Sequence, residues 1–171
     1  MMEKIVSDLV EKHGIDSALA DKIAADFLGM DFDKFQVEMS DLELAVLKSG
    51  GNLQELSVYL TERYPDIGAK AKGFIATRFF CKYASYEKIN KSLKAGIKTG
   101  EWIYSGVVCG HSGLSSKKFK LSDGAFFKDG NIFPGREWDC RCSFKPVISF
   151  LDEEEETPPP KKGFFSRLFG G

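Results

Sequence analysis

"LKAGIKTGEWIYSGVV", residues 93–108, is where the chain changes its period. Upstream, apolar residues recur three and four positions apart, as on one face of a helix, and Gly96 stands where a helix needs a left-handed residue to close it. After Gly100 the pattern shortens, and "EWIYSGVV" reads as a strand. Helices that give way to strands within one chain predict an α+β fold: N-terminal helices and a long helix, followed by a small antiparallel β subdomain and a disordered C-terminal tail.

Working back from Gly96, the long helix spans 66–95, with Ile67, Ala71, Phe74, Ile75, Phe79, Ala84, Ile89 and Leu93 as its buried stripe. Upstream of it, Ile5, Leu9 and Val10 share a face that His13-Gly14 closes, and Leu19, Ile23, Phe27 and Leu28 repeat the spacing. Two further helix starts carry capping pairs, Ser40 with Glu43 and Asn52 with Glu55, whose side chains satisfy backbone donors that the first turn leaves orphaned. "SGG" at 49–51 separates these two helices, and Pro65 stops the second.

Working forward, "KFKL" is a second strand, "SDG" at 122–124 and "KDGN" at 128–131 are turns, and "CRCSFKPVISF" reads as a final strand. Trp102, Tyr104, Phe119, Phe126, Phe127, Phe133, Trp138 and Phe144 are expected to supply most of the core of this small sheet. Beyond it, "DEEEETPPPKKG" packs five acids, three prolines and two lysines into a segment that cannot bury anything, so it reads as a solvated linker. The chain then ends in "FFSRLFGG", where Phe164, Phe165, Leu168 and Phe169 share one face if the peptide becomes helical. The organisation expected is therefore an N-terminal helical region at 1–65, a second domain at 66–150, a linker at 151–163 and a hydrophobic docking peptide at 164–171.

A formal charge of −1 over 171 residues excludes the broad basic field of a nucleic-acid binder. The opening "MMEKIVSDLVEKHG" lacks the continuous apolar core of a secretory leader, and no stretch approaches the roughly 20 apolar residues that span a bilayer. A reducing cytoplasm is the expected compartment, and neither a membrane nor a nucleic acid is an expected partner. In such a compartment four cysteines read as buried thiols or metal ligands before they read as disulfides.

Three of the four fall in a pattern with a histidine. "VVCGHSGL" sets Cys109 and His111 one residue apart, and "EWDCRCSF" does the same for Cys140 and Cys142. Two donors from each of two loops is how structural zinc sites are assembled, with thiolates and an imidazole at the corners of a tetrahedron. The one-residue gap is shorter than the usual two to four. In a strand, however, residues i and i+2 point the same way. A Cys3His zinc site, packed thiols and a disulfide are all open on these grounds. Cys81 reads as a core residue of the long helix, and His13 as a helix-end cation.

The ordered set "AKGFIATRFFCKYASYEKINKSLKAGI", "GEWIYSG", "CGHSGL", "FFKDGNIFPG" and "WDCRCSF" resembles the C-terminal domain of the Mu F-like head morphogenesis proteins of tailed phages, also called minor head or minor capsid proteins. The likeness covers about residues 66–148 and falls on Trp102, Cys109, His111, Gly113, Pro134, Gly135, Trp138, Cys140, Arg141 and Cys142. It implies a structural assembly factor of a phage or prophage, working in the host cytoplasm during assembly and in the virion head. Portal or capsid proteins would be its partners, and the C-terminal peptide its docking element. The rival expectation is a toxin-like effector or a metal-dependent hydrolase or nuclease on the same domain. For that chemistry His111, Glu101, Glu137, Asp139 and Arg141 stand near the cysteines, but the chain has no HExxH, no nucleophile elbow and no phosphate-cradling glycine loop. Four protein donors on one metal would close the site to substrate.

Overall fold

A computed structural model describes residues 1–30, 41–50, 52–106 and 109–148. Five helices come first: α1 (Met2–His13), α2 (Ser17–Gly29), α3 (Asp41–Lys48), α4 (Leu53–Arg63) and α5 (Ala69–Lys94). Five strands follow: β1 (Thr99–Ile103), β2 (Lys118–Lys120), β3 (Ala125–Phe127), β4 (Gly130–Ile132) and β5 (Ser143–Val147). The fold is α+β, as the change of period predicts.

The helix ends follow their local chemistry. Gly14 closes α1 in the left-handed conformation, with its N–H on the Val10 carbonyl. Asp16 caps α2 by accepting from the backbone N–H groups of Ala18 and Leu19. Asn52 caps α4 as its type predicts, accepting from Gln54 and Glu55 N–H, while Glu55 takes the Asn52 side-chain amide rather than its backbone N–H, which donates to the Ser49 carbonyl. α5 ends at Lys94, with the Gly96 N–H on the Leu93 carbonyl. Ser40, Gly51 and everything past Ile148, including the linker and Phe164, Phe165, Leu168 and Phe169, lie outside the described residues.

α5 is the spine of the molecule. Through Ala71, Ile75, Ala76, Phe79, Tyr83 and Tyr86 it joins a core shared with α1 to α4, in which Ile5, Leu9, Ile23, Phe27, Leu56, Leu60 and Tyr64 are buried. Through Ile89 it joins a second core with Trp102, Phe119, Leu121 and Phe144 of the sheet. The stripe read from the sequence holds for Ile67, Ala71, Ile75, Phe79 and Ile89, whereas Leu93 is exposed, as are Val10 and Leu28 on the first two helices. Polar residues are buried on α5 as well. The Lys82 ammonium donates to the Phe27 carbonyl at 2.6 Å, and the Arg78 guanidinium lies over the Phe74 ring.

The sheet has the order β2-β1-β5, antiparallel throughout, with β3 and β4 as a separate hairpin. In its register Trp102 faces Phe144 and Gly100 faces Phe119, so the buried side chains of all three strands lie on one face. Two aromatic assignments need correcting. Phe126 is exposed on the short hairpin. Trp138, expected in the sheet, instead packs edge-on against Phe27 and Phe74 in the helical core and donates its indole N–H to Asp8 at 2.9 Å. Beside it Lys4 of α1 pairs with Asp139, so the loop before β5 is fastened to the first helix. His13 also departs from expectation: its ring stacks on Phe74, 4.2 Å between centroids, and burial pushes its pKa down, which disfavours the cation.

Candidate metal centre

Cys109 and His111 sit in the loop that leaves β1, just ahead of a 3₁₀ turn at Ser112–Leu114. Gly110 between them has φ of 71°, a left-handed bend open to glycine that lets neighbours one residue apart approach a common point. Cys140 and Cys142 lie in the irregular segment before β5, which begins only at Ser143, so strand alternation does not aim them. Instead a tight turn does so, with the Cys140 N–H on the Glu137 carbonyl at 3.0 Å.

The two loops meet. The donor atoms of Cys109, His111, Cys140 and Cys142 all lie within 4.8 Å of one another, and the sulfurs of Cys109 and Cys142 are 3.4 Å apart. That separation is far beyond the roughly 2.05 Å of a disulfide, and all four cysteines are free. His111, Cys140 and Cys142 are buried and Cys109 is half-buried. Cys81, half-buried on α5, is not among the donors.

The chemistry of the cluster fits a cation. Burial pushes the Cys140 and Cys109 thiols up, because a thiolate is costly to take out of water. Against that, backbone N–H groups are aimed at the sulfurs: Gly135 and Cys142 on Cys140, with the first at 3.2 Å, and His111 on Cys109. Such donors favour the thiolate. His111 completes the set: Nε2 lies 3.2 Å from the Glu137 carboxylate, while Nδ1 is buried with no hydrogen-bond partner. A buried imidazole nitrogen with no hydrogen-bond partner, on a residue clustered with three cysteines, calls for an explanation, and a lone pair kept for a metal supplies one. Cys109, His111, Cys140 and Cys142 could therefore hold a metal ion.

Pro134 and Gly135 are both buried and set the approach of the second loop. Gly135 has φ of 80°, and a Cβ there would stand 3.1 Å from the Cys81 carbonyl oxygen and 3.2 Å from that of Cys142. The cysteine loop thus lies against α5 at a distance open only to glycine. Gly135→Ala is expected to cost roughly 1–3 kcal/mol through backbone strain and crowding. Thermal melting of the variant checks it, and a curve matching the native one would show that the loop can move off α5.

The remaining residues singled out in the sequence are distributed around the centre. Trp102 is buried, with its ring edge-on to His111. Arg141 and Gly113 are exposed. Glu101 pairs with Lys145 across β1 and β5 at 3.0 Å, and Asp139 pairs with Lys4, so neither carboxylate joins the donor set. Glu137 is the contact that sequence spacing did not assign to the metal pattern. Its place three residues before Cys140 is a turn signal, but its reach to His111 depends on how the loops meet. Among the described residues, no helix is long and apolar enough to cross a membrane. No family model, curated protein or solved structure matches this chain.

Proposed function

We propose that the chain is a minor head protein of a tailed phage or prophage: a structural assembly factor whose β region is stapled by one zinc ion and whose C-terminal peptide docks on a portal or capsid protein. The observation that carries the structural half of this reading is the closed donor set: four buried or half-buried protein atoms, from two loops, within 4.8 Å of one another. Three thiolates and an imidazole suit zinc, whereas magnesium and calcium take oxygen. When bound, the ion supplies the positive charge that buried thiolates require. With all four tetrahedral corners taken by protein, the site has no open position for substrate, which favours a staple over a hydrolase or nuclease.

The assembly half rests on the order of the motifs along the chain, from the "IATR" helix through Trp102, Cys109-Gly-His111 and Pro134-Gly135 to Cys140-Arg-Cys142. The C-terminal role rests on composition: an acidic, proline-rich tether ahead of Phe164, Phe165, Leu168 and Phe169, spaced as the anchors of a helix that fills a groove. Portal and terminase genes beside this one would favour the reading, and a small immunity-like gene would favour a toxin. Deletion of residues 157–171 tests it directly. The melting curve is expected to stay in place while co-purification with the portal or capsid protein is lost; lowered stability or intact binding would refute the docking role.

A further inference from the structure

We infer that Glu137 is a positioning residue of the metal centre, holding His111 with its Nδ1 lone pair towards the three sulfurs. The inference rests on the metal-centre reading above and concerns a residue outside the donor set.

An imidazole offers two nitrogens, and only the one without a proton can take a metal. At His111 the choice is made by what each nitrogen meets. Nε2 faces the Glu137 carboxylate at 3.2 Å, and a carboxylate only accepts, so Nε2 must carry the proton. Nδ1 is left deprotonated; it is buried with no hydrogen-bond partner, on a residue whose ligand atom lies within 4.8 Å of those of the three cysteines. Rotating the ring by half a turn would put a C–H against the carboxylate and take Nδ1 off the cluster. Two aromatic rings narrow the remaining freedom: Trp102 and Phe127 stand edge-on to the imidazole, with centroids at 5.7 and 5.1 Å.

Glu137 also reaches the other ligand pair. Its backbone carbonyl accepts from the Cys140 N–H at 3.0 Å, in the turn that aims that thiol. One residue therefore holds a donor from each loop, the histidine through its side chain and the cysteine through its main chain. A substitution keeps the second contact and removes the first, which separates them experimentally. The alternative is an ordinary surface ion pair: the Glu137 side chain is about one-third exposed (36%), and such pairs contribute little.

The test uses the full chain loaded with zinc, alongside Glu137→Ala and Glu137→Gln. Zinc affinity is measured by competition with a chelator, and the His111 tautomer by long-range proton–nitrogen NMR correlation. Outer-sphere partners of metal-bound histidines typically contribute 10- to 100-fold to affinity. The alanine variant is expected to lose that much and to lose the single Nε2–H tautomer. The glutamine variant, whose amide oxygen still accepts from Nε2–H, should fall between alanine and wild type. Zinc-free melting should be alike in all three. Equal affinities across the three proteins, with zinc bound, overturn the role of Glu137 and leave the metal centre standing. A drop in affinity matched by an equal drop in zinc-free stability assigns Glu137 to the fold and also overturns it. A wild-type chain that binds no zinc overturns the centre itself.

Discussion

Cys142→Ser is expected to lose the bound metal and to melt well below the native chain, while a chelator brings the native chain down to meet it. The core beneath the sheet is thin. Its buried members are Ile89, Trp102, Leu114, Phe119, Leu121, Ala125, Phe144 and two of the candidate metal ligands, Cys140 and Cys142. Because the unfolded chain has no preformed site, metal binding adds directly to folding stability. With free zinc about 1,000-fold above its dissociation constant the gain is about 4 kcal/mol, which at 2–4 °C per kcal/mol corresponds to a shift on the order of 10 °C for a chain of this size. The serine removes a donor from the heart of the cluster, where the Cys142 sulfur lies 3.4 Å from that of Cys109. If the thiols merely packed, Cys142→Ser would still cost something, so the chelator decides: native protein that carries no metal by elemental mass spectrometry and melts unchanged in chelator would refute the centre.

Trp138→Ala is expected to be comparably damaging for a different reason. The indole is buried and edge-on to Phe27 and Phe74, with centroids at 4.9 and 5.7 Å, and it joins the loop before β5 to α1, α2 and α5. Truncating a buried tryptophan costs about 3–5 kcal/mol, again on the order of 10 °C in melting temperature. The same change removes the donor on Asp8. Burial raises the Asp8 pKa, but hydrogen bonds from Lys12 and Trp138 outweigh it and hold the carboxyl below its usual value. A depressed carboxyl contributes stability above its unfolded pKa of about 3.9, lost as pH falls through the folded value. Trp138→Ala should therefore also flatten the acid limb of the stability curve. Trp138→Phe, which keeps a ring and loses the N–H, should flatten that limb with a smaller loss of stability at neutral pH. A near-neutral melt of the alanine variant would place Trp138 on a partner-binding surface instead.

The features legible in residues 1–148 are those whose physics closes within a few positions. Asn52, Gly14 and Gly96 satisfy backbone groups of their own helix end, so their place in the sequence was sufficient to predict them. The change of period at Gly100 separated helices from strands for the same reason, because side-chain direction follows from the local backbone. The meeting of Cys109, His111, Cys140 and Cys142 in a cluster that could hold a metal ion was legible too, since few side chains can ligate a metal and the two pairs flank a foldable stretch.

What the local pattern could not supply was the identity of each residue's distant neighbour. Trp138 looks alike whether it enters the sheet core or the helical core; its hydrogen bond to Asp8, 130 positions away, is set by the docking of the β5 loop on α1. The cysteine pair was aimed by a turn and by Gly135 against α5 rather than by a strand, because that approach is a contact between two elements. Glu137 reads in the sequence as one of several acids near the cysteines, and becomes a partner of His111 only once both loops are in place. Phe126 is as apolar as Phe144, yet it is exposed, with the polar Asn131 opposite it on the short hairpin, whereas Phe144 has Trp102 beside it in register. Burial is a property of what stands opposite, and that is fixed only when the elements pack.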